Sequence, residues 1–169
     1  MNAQKLHLLA VAAAVAATLA MATTPALASG AKAGHDHGHA AAPHKLALDH
    51  GKKWGTDETL RTSMDRIRAA VEPQLGAAHA GKLSPADYAA LAGKVENEVA
   101  TIVGNCKLEP KADAMLHLVI ADLGAGTDAM AGKASKARPE QGLAKVAGAV
   151  NNYGRYFEHP GFKPIAMGH

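Results

Sequence analysis

From Asp57 to Phe157 apolar residues recur at steps of three and four, and proline breaks the rhythm at Pro73, Pro85, Pro110 and Pro139. A period near 3.6 places such residues on one face of a helix, and no stretch in between alternates with the period of two that a half-buried strand needs. The first segment runs from about Asp57 to Val71, with Leu60, Met64, Ile67 and Val71 on its stripe. Thr56 is its expected N-cap, and Asp57 and Glu58 stand in the first turn, where carboxylates suit the helix dipole. Pro73 lacks a donor and clashes with the preceding turn, so it should kink or end this helix. Ser84-Pro85-Ala86-Asp87 opens the second segment with a serine cap, a proline at the first helical position and a carboxylate at the third. Its face is Leu91, Val95, Val99, Ile102 and Cys106, which turns Cys106 inward. Glu109-Pro110 restarts the chain for a third segment carrying Leu116, Val119, Ile120, Leu123 and Met130, in which Gly124 and Gly126 either shorten the helix or admit a close neighbour. The fourth follows Arg138-Pro139-Glu140 with Leu143, Val146, Val150, Tyr153 and Phe157, and His159-Pro160-Gly161 stops it. Aromatic residues make up only 4% of the chain. The core must then be aliphatic stripes packed on small residues, which favours helices over sheets. The expected fold is all-α, an up-down-up-down four-helix bundle, with a three-helix bundle and one frayed segment as the nearest alternative.

The region before this pattern has a different character. Lys5 supplies a positive start, Leu8 to Ala20 an apolar run of about 13 residues, and Ala26-Leu27-Ala28 a small-residue cleavage pattern, the features of a secretory signal peptide. Residues 1–28 are read as that signal, with the mature chain beginning near Ser29 and exported to the periplasm. Residues 29–45 form a Gly/Ala/Pro-rich linker bearing His35, His37, His39 and His44, residues 46–164 the helical domain, and residues 165–169 a short tail. Lys5 leaves with the signal, so 18 basic residues become 17 against 15 acidic ones, a balance of about +2. That charge is too weak and dispersed for a nucleic-acid partner. No second stretch reaches the roughly 18–20 consecutive apolar residues of a membrane span, so no stable span is expected after cleavage. No protein partner can be named. A lone cysteine in an oxidising compartment cannot staple its own chain, which leaves Cys106 as a buried small hydrophobe, an intermolecular disulfide partner or a ligand.

Alternating helix directions give a testable convergence. Met64 and His117 each lie about 10 Å from one end of the bundle, and Cys106 and His159 lie at that end, from a rise of roughly 1.5 Å per residue. Thioether, thiolate and imidazole together suit copper or zinc, and Cys106 and His117 are the first-choice ligands, with Met64 and His159 completing the set. Each also has a plain structural reading. Met64 sits on a core stripe, and His117 stands one turn from Asp113, which either orients a ligand or makes a local hydrogen bond. His159 suits a helix C-terminal cation. The linker histidines, His35, His37, His39 and His44, form a separate weak site for Cu(II), Ni(II) or Zn(II), or else a pH-sensitive spacer. Haem is disfavoured: Met64 imitates the methionine of b-type bundle cytochromes, but no histidine lies within the fourth helix, and C-x-x-C-H is missing. There is no G-x-S-x-G, no H-E-x-x-H and no carboxylate set for a di-iron centre, so the chain is not expected to be an enzyme.

Three runs, LDHGKKWGTDETLR with Met64, IVGNCKLEPKADAMLHLVIADL and NNYGRYFEHPGFKP, together resemble the small exported proteobacterial family described as DnrO-like. The resemblance covers most of Leu46 to Pro164. It implies a periplasmic, mostly helical domain of uncharacterised biochemical function, with the histidine linker outside it. The same runs group Trp54, Arg61, Asn105, Asp122, Tyr153, Arg155, Tyr156 and Phe162 with the ligand candidates. Trp54 and Phe162 are expected to plug one end of the domain, with Arg61 or Arg155 pairing Asp122 or Glu158. The function read from all this is an exported binding protein for a transition-metal ion, copper or zinc, and the alternative is a structural or partner-binding envelope protein without metal.

Overall fold

The computed structural model describes residues 45–167. The proposed signal, nearly all of the linker with its four histidines, and the last two residues lie outside them. The described chain is all-α. Its helices are α1 (Glu58–Val71), a short α2 (Leu75–His79), α3 (Pro85–Asn105), α4 (Pro110–Met130) and α5 (Pro139–Tyr156), with a 3-10 turn, Glu72–Gln74, between the first two.

Local signals explain the boundaries. Asp57 is the N-cap of α1, its carboxylate accepting the Leu60 N–H at 2.8 Å. This moves the cap one residue on from Thr56, because Thr56 Oγ1 instead donates to the Glu158 carbonyl at 2.6 Å. Pro73 falls inside the 3-10 turn, so the helix ends at Val71 and the chain re-enters a five-residue helix rather than continuing through a kink. Ser84 and Asp87 complete the capping box ahead of α3, and proline occupies the first turn of α3, α4 and α5. Gly124 and Gly126 do not shorten α4, which continues to Met130 and stops at Gly132 (φ 71°), a conformation that L side chains rarely adopt.

The predicted stripes form the core. Leu60, Met64, Ile67 and Val71 of α1 are at most 1% exposed. They join Leu91, Val95 and Ile102 of α3, Leu116, Val119, Leu123 and Met130 of α4, and Leu143, Val146, Val150 and Tyr153 of α5, with Phe157 just beyond. Burying each such side chain stabilises the fold by about 1.5–3 kcal/mol. Val99 and Ile120 are only partly buried at the margin. The contacts run in a ring: α1 packs on α3, α3 on α4, α4 on α5 and α5 on α1.

The tightest seam is between α4 and α5. A Cβ placed on Gly126 would lie 2.9 Å from the Gly142 carbonyl, and one on Gly142 would lie 2.6 Å from the Gly126 carbonyl and 2.7 Å from the Met130 nitrogen. The two backbones touch where neither residue has a side chain. Of the two alternatives for Gly126, close approach is the one realised.

At the far end of α5 the segment before α1 and the segment after α5 are clasped together. The Trp54 N–H donates to the Tyr156 carbonyl at 2.9 Å, and the Glu158 N–H donates to the Trp54 carbonyl at 2.8 Å. Lys53 Nζ donates to the Gly154 carbonyl at 2.7 Å. Phe162 lies where a Gly154 side chain would stand, 2.6 Å from its would-be Cβ. Asn151 then grips Ile165 from both sides, its Nδ2 donating to the Ile165 carbonyl at 3.0 Å and its Oδ1 accepting the Ile165 N–H at 2.7 Å. Docked chain therefore continues through Ile165, which is 3% exposed.

Candidate functional site

Each of the four domain residues read as ligands has partners of its own. Met64 is fully enclosed in the apolar core. Cys106 is the C-cap of α3, where its N–H still donates to the Ile102 carbonyl while its side chain reaches across to α1. The thiol donates to Asp57 Oδ1 at 3.5 Å. Burial, the hydrogen bond and the Asp57 charge push its pKa up to about 12. The proton stays on the sulfur near neutral pH.

Asp57 is the hub of this corner. Besides capping α1 and accepting the thiol, its Oδ2 accepts the Lys107 N–H at 2.6 Å. Burial by itself would raise the carboxyl's pKa. The Lys107 and Leu60 amides, the Cys106 thiol and the Arg61 charge outweigh it and hold the pKa below the ordinary 3.8. One carboxylate thus ties the start of α1 to the end of α3.

The His159 side chain is buried beside Asp65 of α1, 7% exposed. One ring nitrogen, Nδ1, lies 3.0 Å from the Tyr153 hydroxyl, and Nε2 lies 3.4 Å from Asp65 Oδ2. The ring also packs on Phe162, centroids 4.9 Å apart. Burial holds its pKa below the ordinary value and Arg61 adds to this, against the opposing pull of Asp65. It is therefore held towards the neutral form, which corrects its reading as a helix C-terminal cation. Tyr153 is itself buried, with its pKa raised beyond the ordinary phenol range chiefly by burial. Phe157 stacks on it at 5.5 Å and Phe162 meets it edge-on at 5.3 Å.

His117 differs from all of these. Its side chain is 65% exposed, with Nδ1 2.9 Å from the Asp113 carbonyl and 3.4 Å from the Asp113 carboxylate. It stands in solvent rather than at the edge of the apolar stripe. Among the described residues, no group of three or more His, Cys, Asp or Glu side chains is placed to hold a metal ion. His35, His37, His39 and His44 lie outside those residues.

The expected plugs and pairs are partly as read. Trp54 and Phe162 are half-buried against the core, and the indole N–H donates to the Ala47 carbonyl at 2.7 Å. The ion pairs fall elsewhere. Asp122 pairs with Lys145 at 2.7 Å, and Arg61 donates to the Thr56 carbonyl and hydroxyl at 2.9 and 3.0 Å. Arg61 thus holds the loop before α1 rather than a carboxylate. The sequence reading missed Asp57 as a hub, although its place in the first turn was legible; its partners just past the end of α3, Cys106 and Lys107, are some fifty residues away.

Two clefts flank this end. One, of about 800 Å³, is walled by Lys53, Trp54, Lys107, Leu108 and the first turn of α4. The other, of about 590 Å³, lies beside Thr56, Arg61, Asp65, Glu158 and His159. No helix among the described residues is long and apolar enough to cross a membrane. Compared with known proteins, the chain matches no family model, no curated protein sequence and no solved structure.

Proposed function

We propose that this is an exported periplasmic binding protein rather than an enzyme, in which an up-down-up-down four-helix bundle carries a histidine-bearing linker, and that the linker takes a transition-metal ion, copper or zinc. The observation that supports this division of labour is that the domain's soft candidates already have protein partners. Cys106 is bonded to Asp57, His159 to Tyr153 and Asp65, and Met64 is closed off in the core. For Cys106 to act as a ligand it would have to give up that bond and lose a proton beside a carboxylate. His117 is accessible, but only Asp113 stands beside it as a further ligand. In the linker His35, His37 and His39 follow one another two residues apart, a sequence spacing at which imidazoles can share one ion. The resemblance to the DnrO-like family supports export and helical architecture, and it is silent on a reaction.

The clasp and the Asp57 hub favour a second reading, a structural or partner-binding envelope protein without metal. Metal titration of untagged mature protein separates the two. The intact chain and a Cys106→Ala, His117→Ala variant should bind Cu(II) or Zn(II) with equal stoichiometry, and deletion of Ser29–His44 should abolish binding. The reverse pattern assigns the metal to Cys106 and His117. An intact chain that binds neither Cu(II), Cu(I) nor Zn(II) leaves the partner-binding reading.

A further inference from the structure

The cleft beside Trp54 has a composition that the metal reading does not use. Its lining combines apolar side chains, Trp54, Leu108 and Pro110, with three lysines, Lys53, Lys107 and Lys111, and two carboxylates, Asp49 and Glu109. Its volume of about 800 Å³ falls in the range of small-molecule sites, in which a mostly apolar surface is oriented by a few polar groups.

The three lysines are not equivalent. Lys53 is committed to the Gly154 carbonyl at 2.7 Å. The lysine ion pairs among the described residues belong to Lys133 and Lys145, so the ammonium groups of Lys107 and Lys111 have no carboxylate partner there. The backbone of Lys107 is fixed, its N–H held by Asp57 at 2.6 Å, so the root of one lysine side chain is held at the cleft. The indole N–H of Trp54 is already used on Ala47, which leaves the ring as apolar surface. The first turn of α4 carries no side-chain cap, so its amides add to the positive potential around the lysines.

We infer that this cleft binds a small organic monoanion with a flat apolar body, a carboxylate of the aromatic type, its body against Trp54, Leu108 and Pro110 and its charge between Lys107 and Lys111. Asp49 and Glu109 in the same lining set the charge limit. They leave only a modest positive excess, which suits a single negative charge and opposes a dianion such as phosphate. The inference is independent of the metal proposal, since it uses ammonium groups and an indole rather than imidazoles, and either can fail alone.

Trp54 is the only tryptophan in the chain, so the site has its own fluorescent reporter. Mature protein is titrated with benzoate, with inorganic phosphate and with neutral benzyl alcohol, following Trp54 emission and amide chemical shifts. Benzoate should saturate, with shifts confined to Trp54 and Lys107–Ala112, and the other two probes should bind markedly more weakly. A Lys107→Ala, Lys111→Ala variant of unchanged thermal midpoint should weaken benzoate binding by about tenfold or more, as the loss of charge-assisted contacts requires. Lys133→Ala should leave it unaltered. The inference is overturned if benzoate fails to saturate, if benzyl alcohol or phosphate binds as tightly, or if the double variant keeps the wild-type affinity.

Discussion

The two halves of α5 are held to the rest of the molecule by different means. In the first half Gly142 meets Gly126 of α4 backbone to backbone, and the contact depends on atoms that are missing. In the second half Asn151, Tyr153 and Gly154 hold the terminal segments through hydrogen bonds and ring contacts, so that part of the contact depends on polar atoms being present. At Gly142 the first arrangement has little freedom to adapt, because what a new side chain would strike first is main chain. The second distributes its hold over several partners, each replaceable at moderate cost.

The largest expected effect breaks the first half. Gly142→Ala should destabilise the protein by about 3 kcal/mol or more, since overpacking against backbone cannot be relieved by a rotamer change. Gly148→Ala, six residues along the same helix with nothing within 4 Å of its would-be Cβ, should instead stabilise by about 0.5–1 kcal/mol. Urea denaturation of the two variants measures the contrast directly, and equal effects would refute the close seam. Asp57→Ala comes next, at about 2 kcal/mol, because it removes a helix cap together with the acceptor for the Lys107 amide and the Cys106 thiol. Asp57→Asn should cost less, yet it should speed alkylation of Cys106 by iodoacetamide, because the charge that helps to hold the thiol proton is gone. Tyr153→Phe tests the second half alone: losing the contact to His159 should cost about 1 kcal/mol in the same urea assay, with the ring packing kept.

The smallest expected effect is in acid. Asp57 and Asp87 both have pKa values held below the ordinary 3.8, Asp87 chiefly by the Ser84 hydroxyl and amide. The unfolded chain takes up these protons first as pH falls. The stability each carboxylate contributes is therefore fully present above pH 3.8 and is lost as pH drops through the folded value. Asp87→Ala and Asp57→Ala should each flatten only the low-pH end of a thermal-midpoint profile.

The same contrast explains what was legible in the sequence. Core stripes on α1, α3, α4 and α5 follow from local period, and so does the Ser84 capping box, because each depends on neighbours within a turn or two. Gly126 could be flagged as a place of close approach, but its partner Gly142 could not, since nothing local marks which glycine another helix will meet. The cap of α1 shifted from Thr56 to Asp57 because Thr56 is used by Glu158, 102 residues away. His159 was expected near Met64, Cys106 and His117 from helix rise alone. Rise fixes height and not azimuth, and it could not foresee that Tyr153 and Asp65 would take both ring nitrogens.

The exchange of hydrogen bonds between Trp54 and the Tyr156–Glu158 segment closes a loop of about a hundred residues, for which the chain-entropy cost is high and rises only slowly with further length. Helices built from local contacts can form before that closure is made. The clasp is then a late step in folding and an early one in opening, and in hydrogen exchange the Trp54 and Glu158 amides should report a sub-global opening well below the free energy that releases the α4–α5 seam. The termini of the domain would come loose together, as one unit, while the glycine contact between α4 and α5 remained closed.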